Sequence, residues 1–133
     1  MELIILQDAR KELSLRARSG HPVQGYLLGR QTGPGLFVEK IFCLSWGELL
    51  KPEVFFLVEK NQSRDILGVF SLRARPPVEK RLLQPLFCGK VFLRLEVRAN
   101  GEIRPRAKQI EFDRQFYFKP LGRIITEMEA ADG

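Results

Sequence analysis

Metal-dependent hydrolysis needs converging His, Cys or carboxylate ligands, and this chain holds one histidine, His21, and two cysteines, Cys43 and Cys88. The three stand far apart in sequence, and no close pair of the Cys-x-x-Cys kind anchors a zinc site. Both cysteines sit among apolar neighbours, Ile41-Phe42-Cys43-Leu44 and Leu86-Phe87-Cys88. That setting predicts buried, unactivated thiols in a reducing compartment, not a Cys–His nucleophile and not a disulfide framework. Glu39, Glu48 and Glu59 are acids for which the sequence offers no converging partner, and a general acid–base site needs one. No phosphate-cradling Gly-rich motif or Gly-x-Ser-x-Gly turn occurs.

The remaining chemistry is cationic. Arg73 and Arg75 alternate, so on an extended segment they share a face. With Arg81 they form a candidate anion or partner contact, where guanidinium forks would hold a phosphate or a partner's carboxylate. Arg98, Arg104, Arg106 and Lys108 surround the turn dipeptide Asn100-Gly101 and form a candidate nucleic-acid contact. Glu96, Glu102, Glu111 and Asp113 dilute that second group. Over the whole chain, 22 Lys and Arg against 16 Asp and Glu give a net charge of +6. Such a charge suits an anionic partner and suits equally a soluble protein with a mildly basic surface.

Several elements must position these groups. An Ile- and Leu-rich strand at residues 2–6 is followed by a helix that Asp8 caps, with a stripe of Leu6, Ala9, Leu13 and Ala17. Gly20 and Pro22 stop it. Tyr26-Leu27-Leu28 and the span from Leu36 to Leu44 form a hairpin around Gly33-Pro34-Gly35. Pro52 opens a second helix that ends near Asn61. The span from Asp65 to Leu72 is a buried strand with Gly68 inside it, a sign of close backbone approach. A short or broken helix carries Val78, Leu82, Leu83 and Leu86. A strand from Lys90 to Arg98 then turns at Asn100-Gly101 into one in which Arg104-Pro105-Arg106 suggests a sheet edge. An aromatic-rich strand from Ile110 to Phe118 precedes a last helix opened by Pro120. There Leu121, Ile124, Ile125 and Met128 form a narrow i, i+3, i+4, i+7 stripe, a candidate interaction helix.

Length and composition bound the architecture. The chain has 133 residues, 44% apolar and 29% charged, which is ordinary for one globular domain. Ten Phe against two Tyr and one Trp suggest a core built largely from phenylalanine. The apolar run at Leu3 to Leu6 is too short for a leader, and no run reaches the ~20 residues of a membrane span.

Two segments carry a resemblance. Gly25-Tyr26-Leu27-Leu28-Gly29-Arg30 and Ile66-Leu67-Gly68-Val69-Phe70-Ser71-Leu72-Arg73-Ala74-Arg75-Pro76-Pro77 are similar to landmarks of the JAB/MPN (JAMM) zinc isopeptidases. The resemblance implies helices around a curved sheet, and the element order runs close to that of the family. Active members read Gly, two aromatics and His-x-His-Pro in the second landmark, with a Glu before the first and a Ser and an Asp further on. Here the Glu position falls on Pro22, the two His positions on Ser71 and Arg73, and the Ser and Asp positions on Arg81 and Gln84. Proline has no ligand atom, Ser and Gln bind zinc poorly, and Arg is a permanent cation.

These readings converge on an α+β (mixed α/β) fold. They give a single MPN-like domain over residues 1–133 with a curved, mostly antiparallel sheet flanked by helices. The expected function is a non-catalytic, MPN-like scaffold for protein–protein interaction, a cytoplasmic pseudoenzyme without cofactor, metal or catalytic residues. It would pair with a protein partner or a second copy, not with a membrane. A small basic nucleic-acid-binding module is the alternative.

Overall fold

Glycines without room for a side chain hold the centre of the sheet together. In a computed structural model, which describes residues 2–19, 22–72, 76–100, 102–121 and 123–126, a Cβ on Gly25 would overlap the Phe42 carbonyl oxygen and one on Gly68 the Val91 carbonyl oxygen. These contacts join β2 (Val23–Thr32) to β3 (Gly35–Cys43), and β4 (Asp65–Leu72) to β5 (Val91–Val97). Around them the other strands are β1 (Glu2–Ile5), β6 (Ile103–Asp113), β7 (Gln115–Pro120) and β8 (Arg123–Thr126). The order across the sheet is β7-β6-β5-β4-β2-β3-β1-β8. The sheet is mixed: β1 runs parallel to β3 and β8, and β4 parallel to β5, while the other neighbours are antiparallel.

β7 and β8 stand at the two ends of that order, yet only two residues separate them in sequence. The sheet therefore curls until its ends meet. The Leu121 amide donates to the Ala107 carbonyl (3.2 Å), adding a rung to the β6–β7 ladder just before β8 pairs with β1. Register shifts in β2 around Leu27, Leu28 and Gly29, against both neighbours, supply bending of the kind that β-bulges give.

Each face of the sheet has its own core. Helix α1 (Gln7–Arg18) lays Ala9, Leu13 and Ala17 on one face, against residues such as Leu3, Leu27, Val38, Phe70 and Leu93. The other face carries α2 (Trp46–Leu49) and α3 (Pro52–Gln62), with Tyr26, Phe55, Val69, Phe87, Phe92 and Ile110 in its core. Alternation along β5 shows why one strand serves both: Val91, Leu93 and Leu95 point to the α1 face, Phe92 to the α3 face. The short helix α4 (Pro76–Glu79) and two 3-10 turns, Lys80–Leu82 and Pro85–Phe87, replace one continuous helix, as Pro85 requires.

Four expectations need correction. The segment after Pro120 is not a helix. Ile124-Ile125-Thr126 is a run of β-branched residues, and β8 pairs with β1 from Glu2↔Arg123 to Ile5↔Thr126. Leu121 and Ile124 pack against the α1-face core, and Met128 lies outside the described residues. The aromatic strand predicted from Ile110 to Phe118 is folded back on itself at Arg114, which takes a positive φ of 66°, so that Phe112 faces Phe116 across a hairpin. The start of α1 is capped by Leu6 without a side-chain bond, and Asp8 sits in the first turn, where a carboxylate favours the helix dipole. The core is chiefly aliphatic: Phe55, Phe70, Phe87 and Phe92 are buried, but Phe56 and Phe112 are exposed. The edge suggested by Pro105 holds locally. Pairing with β7 begins only at Lys108, so the half of β6 that holds Pro105 escapes the β7 ladder.

Candidate functional site

β2 and β4 lie side by side, so the two landmark segments meet, with Gly25 opposite Phe70 and Gln24 opposite Ser71. From Ser71 the register continues to Arg94 on β5 and to Arg106 on β6. Four polar side chains thus form one row across four strands on the α3 face. Gln24 Nε2 donates to the Leu44 carbonyl (2.8 Å). Ser71 has no solvent exposure, and among the described residues its Oγ meets no hydrogen-bond partner.

Over this row, α4 places Glu79, only 7% exposed, against Arg94. Arg94 Nε lies 3.4 Å from Glu79 Oε1, close enough for an ion pair though not aligned as a hydrogen bond. Arg106 Nε lies 3.5 Å from Glu96 Oε1. A small cavity of about 70 Å³ sits here, between Glu79, Phe92, Arg94, Arg106, Lys108 and Phe118. The Lys108 ammonium stands 5.8 Å from the centre of the Phe118 ring, a cation–π geometry.

The predicted residues divide accordingly. Arg104, Arg106 and Lys108 are brought together as the exposed alternate residues of β6. Arg98 is exposed beyond them in the β5–β6 turn, where its amide donates to the Glu102 carbonyl (2.8 Å). Arg81 is exposed in a 3-10 turn, and its carbonyl accepts from Gln84 Nε2 (2.7 Å). Arg73, Arg75 and His21 lie outside the described residues. The sequence reading missed Gln24, Glu79 and Arg94. A signal existed for Arg94, which falls on the polar phase of the β5 alternation, and Glu79 was the single acid among the cations of residues 71–90.

Of the positions that the resemblance would align with a zinc site, the described Pro22, Ser71 and Gln84 do not fit a metal. Pro22 is exposed and has no donor atom, Ser71 is a neutral hydroxyl shut off from solvent, and Gln84 spends its amide on a backbone carbonyl. Among the described residues, no three of His, Cys, Asp and Glu come together. The candidate acids have structural work. Glu39 pairs with Arg64 (3.4 Å) and Arg30 (3.9 Å), Glu48 with Lys51 (3.1 Å), and Glu59 accepts from the Ile66 amide (3.1 Å).

Two groups depart from their ordinary acidity. Burial, and next the charge of Glu48, push the Tyr26 hydroxyl above the usual tyrosine range. That hydroxyl donates to the Leu49 carbonyl at 2.6 Å, tying α2 to the sheet. Burial also raises the Cys43 thiol, against the pull of Arg16 and with a further push from Glu12. Cys88 is exposed, contrary to the expectation from its apolar neighbours, because it ends a 3-10 turn at the surface.

No family model matches this chain, and no curated protein does. Among solved structures, it is similar to protein DSY2949 from Desulfitobacterium hafniense, a structural-genomics target determined in solution. The two share 18% identity with a TM-score of 0.62, over 93% of this chain and 92% of that one. This likeness establishes the class of the fold, a single α+β domain around a curled mixed sheet. No helix among the described residues is long and apolar enough to cross a membrane.

Proposed function

We propose that this chain is a non-catalytic MPN-like domain that binds another protein, a scaffold in which the zinc isopeptidase site of the family it resembles has been replaced. One observation carries the reading. The landmark strands β2 and β4 run side by side in register, while the aligned ligand position holds Ser71, fully buried and flanked by Gln24 and Arg94. The hydroxyl has neither a base beside it nor access to substrate, so this row is structural and the chain's work is binding. The partner is a different protein or a second copy, and two free thiols suit a cytoplasmic setting.

A second reading has its own support. Arg104, Arg106 and Lys108 share one exposed face of β6 beside Arg94, so the basic residues form a stripe on which a nucleic-acid backbone would lie. Glu79 and Glu96 offset two of these four cations, which favours the scaffold reading.

Titrating the purified chain with labelled single- and double-stranded 20-mers across a salt series separates the two. The scaffold reading predicts weak binding that Arg106→Gln with Lys108→Gln leaves unchanged. Tight binding that falls steeply with salt and is lost in that double variant would transfer the function to nucleic acid. Stoichiometric zinc together with cleavage of an isopeptide-linked substrate would overturn both.

A further inference from the structure

A groove of about 380 Å³ opens on the other side of the sheet, where α1 leaves the ends of β5 and β6 uncovered. Its floor is apolar: Leu13 and Ala17 of α1 face Leu95 and Val97 of β5 and Ile103 and Pro105 of β6. The helix side is a single stripe at i, i+3, i+4, i+7 and i+8, running Arg10, Leu13, Ser14, Ala17, Arg18. An arginine therefore stands at each end of the apolar stretch, and among the described residues no acid lines the groove.

Arg10 makes this more than a shallow depression. Its Nε is cut off from solvent and has no hydrogen-bond partner among the described residues. The residue as a whole is only half-buried and lines the groove, so its guanidinium is within reach of a ligand there, and a carboxylate would pair with it through charge-assisted hydrogen bonds. The geometry points to an occupant that presents a carboxylate to Arg10 and a second to Arg18. The two residues are eight apart on the helix, about 12 Å at 1.5 Å per residue. An extended peptide covers that distance in about four residues at 3.3 Å each.

We infer that the groove receives an extended segment of a partner protein in which two acidic residues about four positions apart bracket apolar side chains. A ligand with one carboxylate would satisfy one arginine only. The inference rests on the scaffold reading and names the kind of segment that the scaffold would hold.

The test is selection of a displayed random-heptapeptide library on the full chain and, in parallel, on Arg10→Gln and Arg18→Gln. Both substitutions keep most of the side-chain volume, and amide spectra of the variants report that the fold is retained. Expected are enriched peptides with acids about four apart around apolar residues, shifting amides of α1, β5 and β6. Each variant should weaken their binding about tenfold, the worth of one charge-assisted hydrogen bond. Enrichment without acids, affinity indifferent to both substitutions, or no enrichment would overturn the inference. A doubled solution mass that Arg10→Gln abolishes would also overturn it by assigning the groove to a second copy. The scaffold reading fails separately. If nuclease-treated co-purification yields a partner whose binding ignores Arg10→Gln and Arg18→Gln, the groove inference falls and the scaffold stands. If no partner co-purifies, the scaffold falls even where peptides bind.

Discussion

Replacing Ser71 with alanine should make the protein more stable. Ser71 is fully buried, and its hydroxyl finds no partner among the described residues. A hydroxyl buried without a hydrogen bond costs about 1–3 kcal/mol relative to water. Ser71→Ala removes that cost and leaves a void the size of one oxygen atom. Alanine's weaker preference for strands takes back a few tenths of a kcal/mol. The expected net gain is about 1 kcal/mol. At about 2.1 cal/mol/K per residue, the chain's unfolding entropy is about 0.3 kcal/mol/K, so the midpoint should rise by about 4 °C. Urea unfolding followed by tryptophan fluorescence checks the same quantity, with a higher midpoint and an unchanged slope. A loss of about 1 kcal/mol or more would mean instead that the hydroxyl has a partner that stabilises the row.

Gly68→Ala should cost about 3 kcal/mol or more, because the Val91 carbonyl in its way is backbone and cannot swing aside. Gly47→Ala, in open space within α2, should gain about 0.5 kcal/mol in the same urea assay. Tyr26→Phe should lose about 1–2 kcal/mol, since the buried Leu49 carbonyl would be left unpaired. Because the folded-state pKa of Tyr26 is raised above the unfolded value of 10.0, its share of stability is intact below that pH and falls as pH rises past it. The gap between wild type and Tyr26→Phe should therefore narrow above pH 10 in unfolding curves run at stepped pH. Iodoacetamide should modify Cys88, which is exposed, well before Cys43, whose thiol is partly buried and raised; mass spectrometry of the digest reads the order.

Where local physics and tertiary placement agree, the elements could be read directly. The strand from Asp65 to Leu72 matches β4 at both ends, and Pro52 begins α3 as its fixed φ and missing amide favour. The errors arose where two local signals competed. After Pro120 a helical stripe of four residues coincided with a β-branched run, and pairing with β1 decided for the strand. Between Ile110 and Phe118 the turn hides in Asp113-Arg114-Gln115, which lacks the glycine that marks most hairpins. The site was legible only in part. Arg104, Arg106 and Lys108 share a face because alternation within one strand requires it. The Gln24–Ser71–Arg94–Arg106 row depends on the register of four strands, which no local pattern encodes.

We propose that this chain works by holding another protein. The most direct test is native co-purification from the source cell's lysate, with and without nuclease, followed by the mass of the native complex. A discrete protein should be retained in fixed stoichiometry after nuclease, in a complex heavier than the 15.3 kDa of the chain alone. Retention that disappears with nuclease, or a chain recovered alone at its own mass, would contradict it.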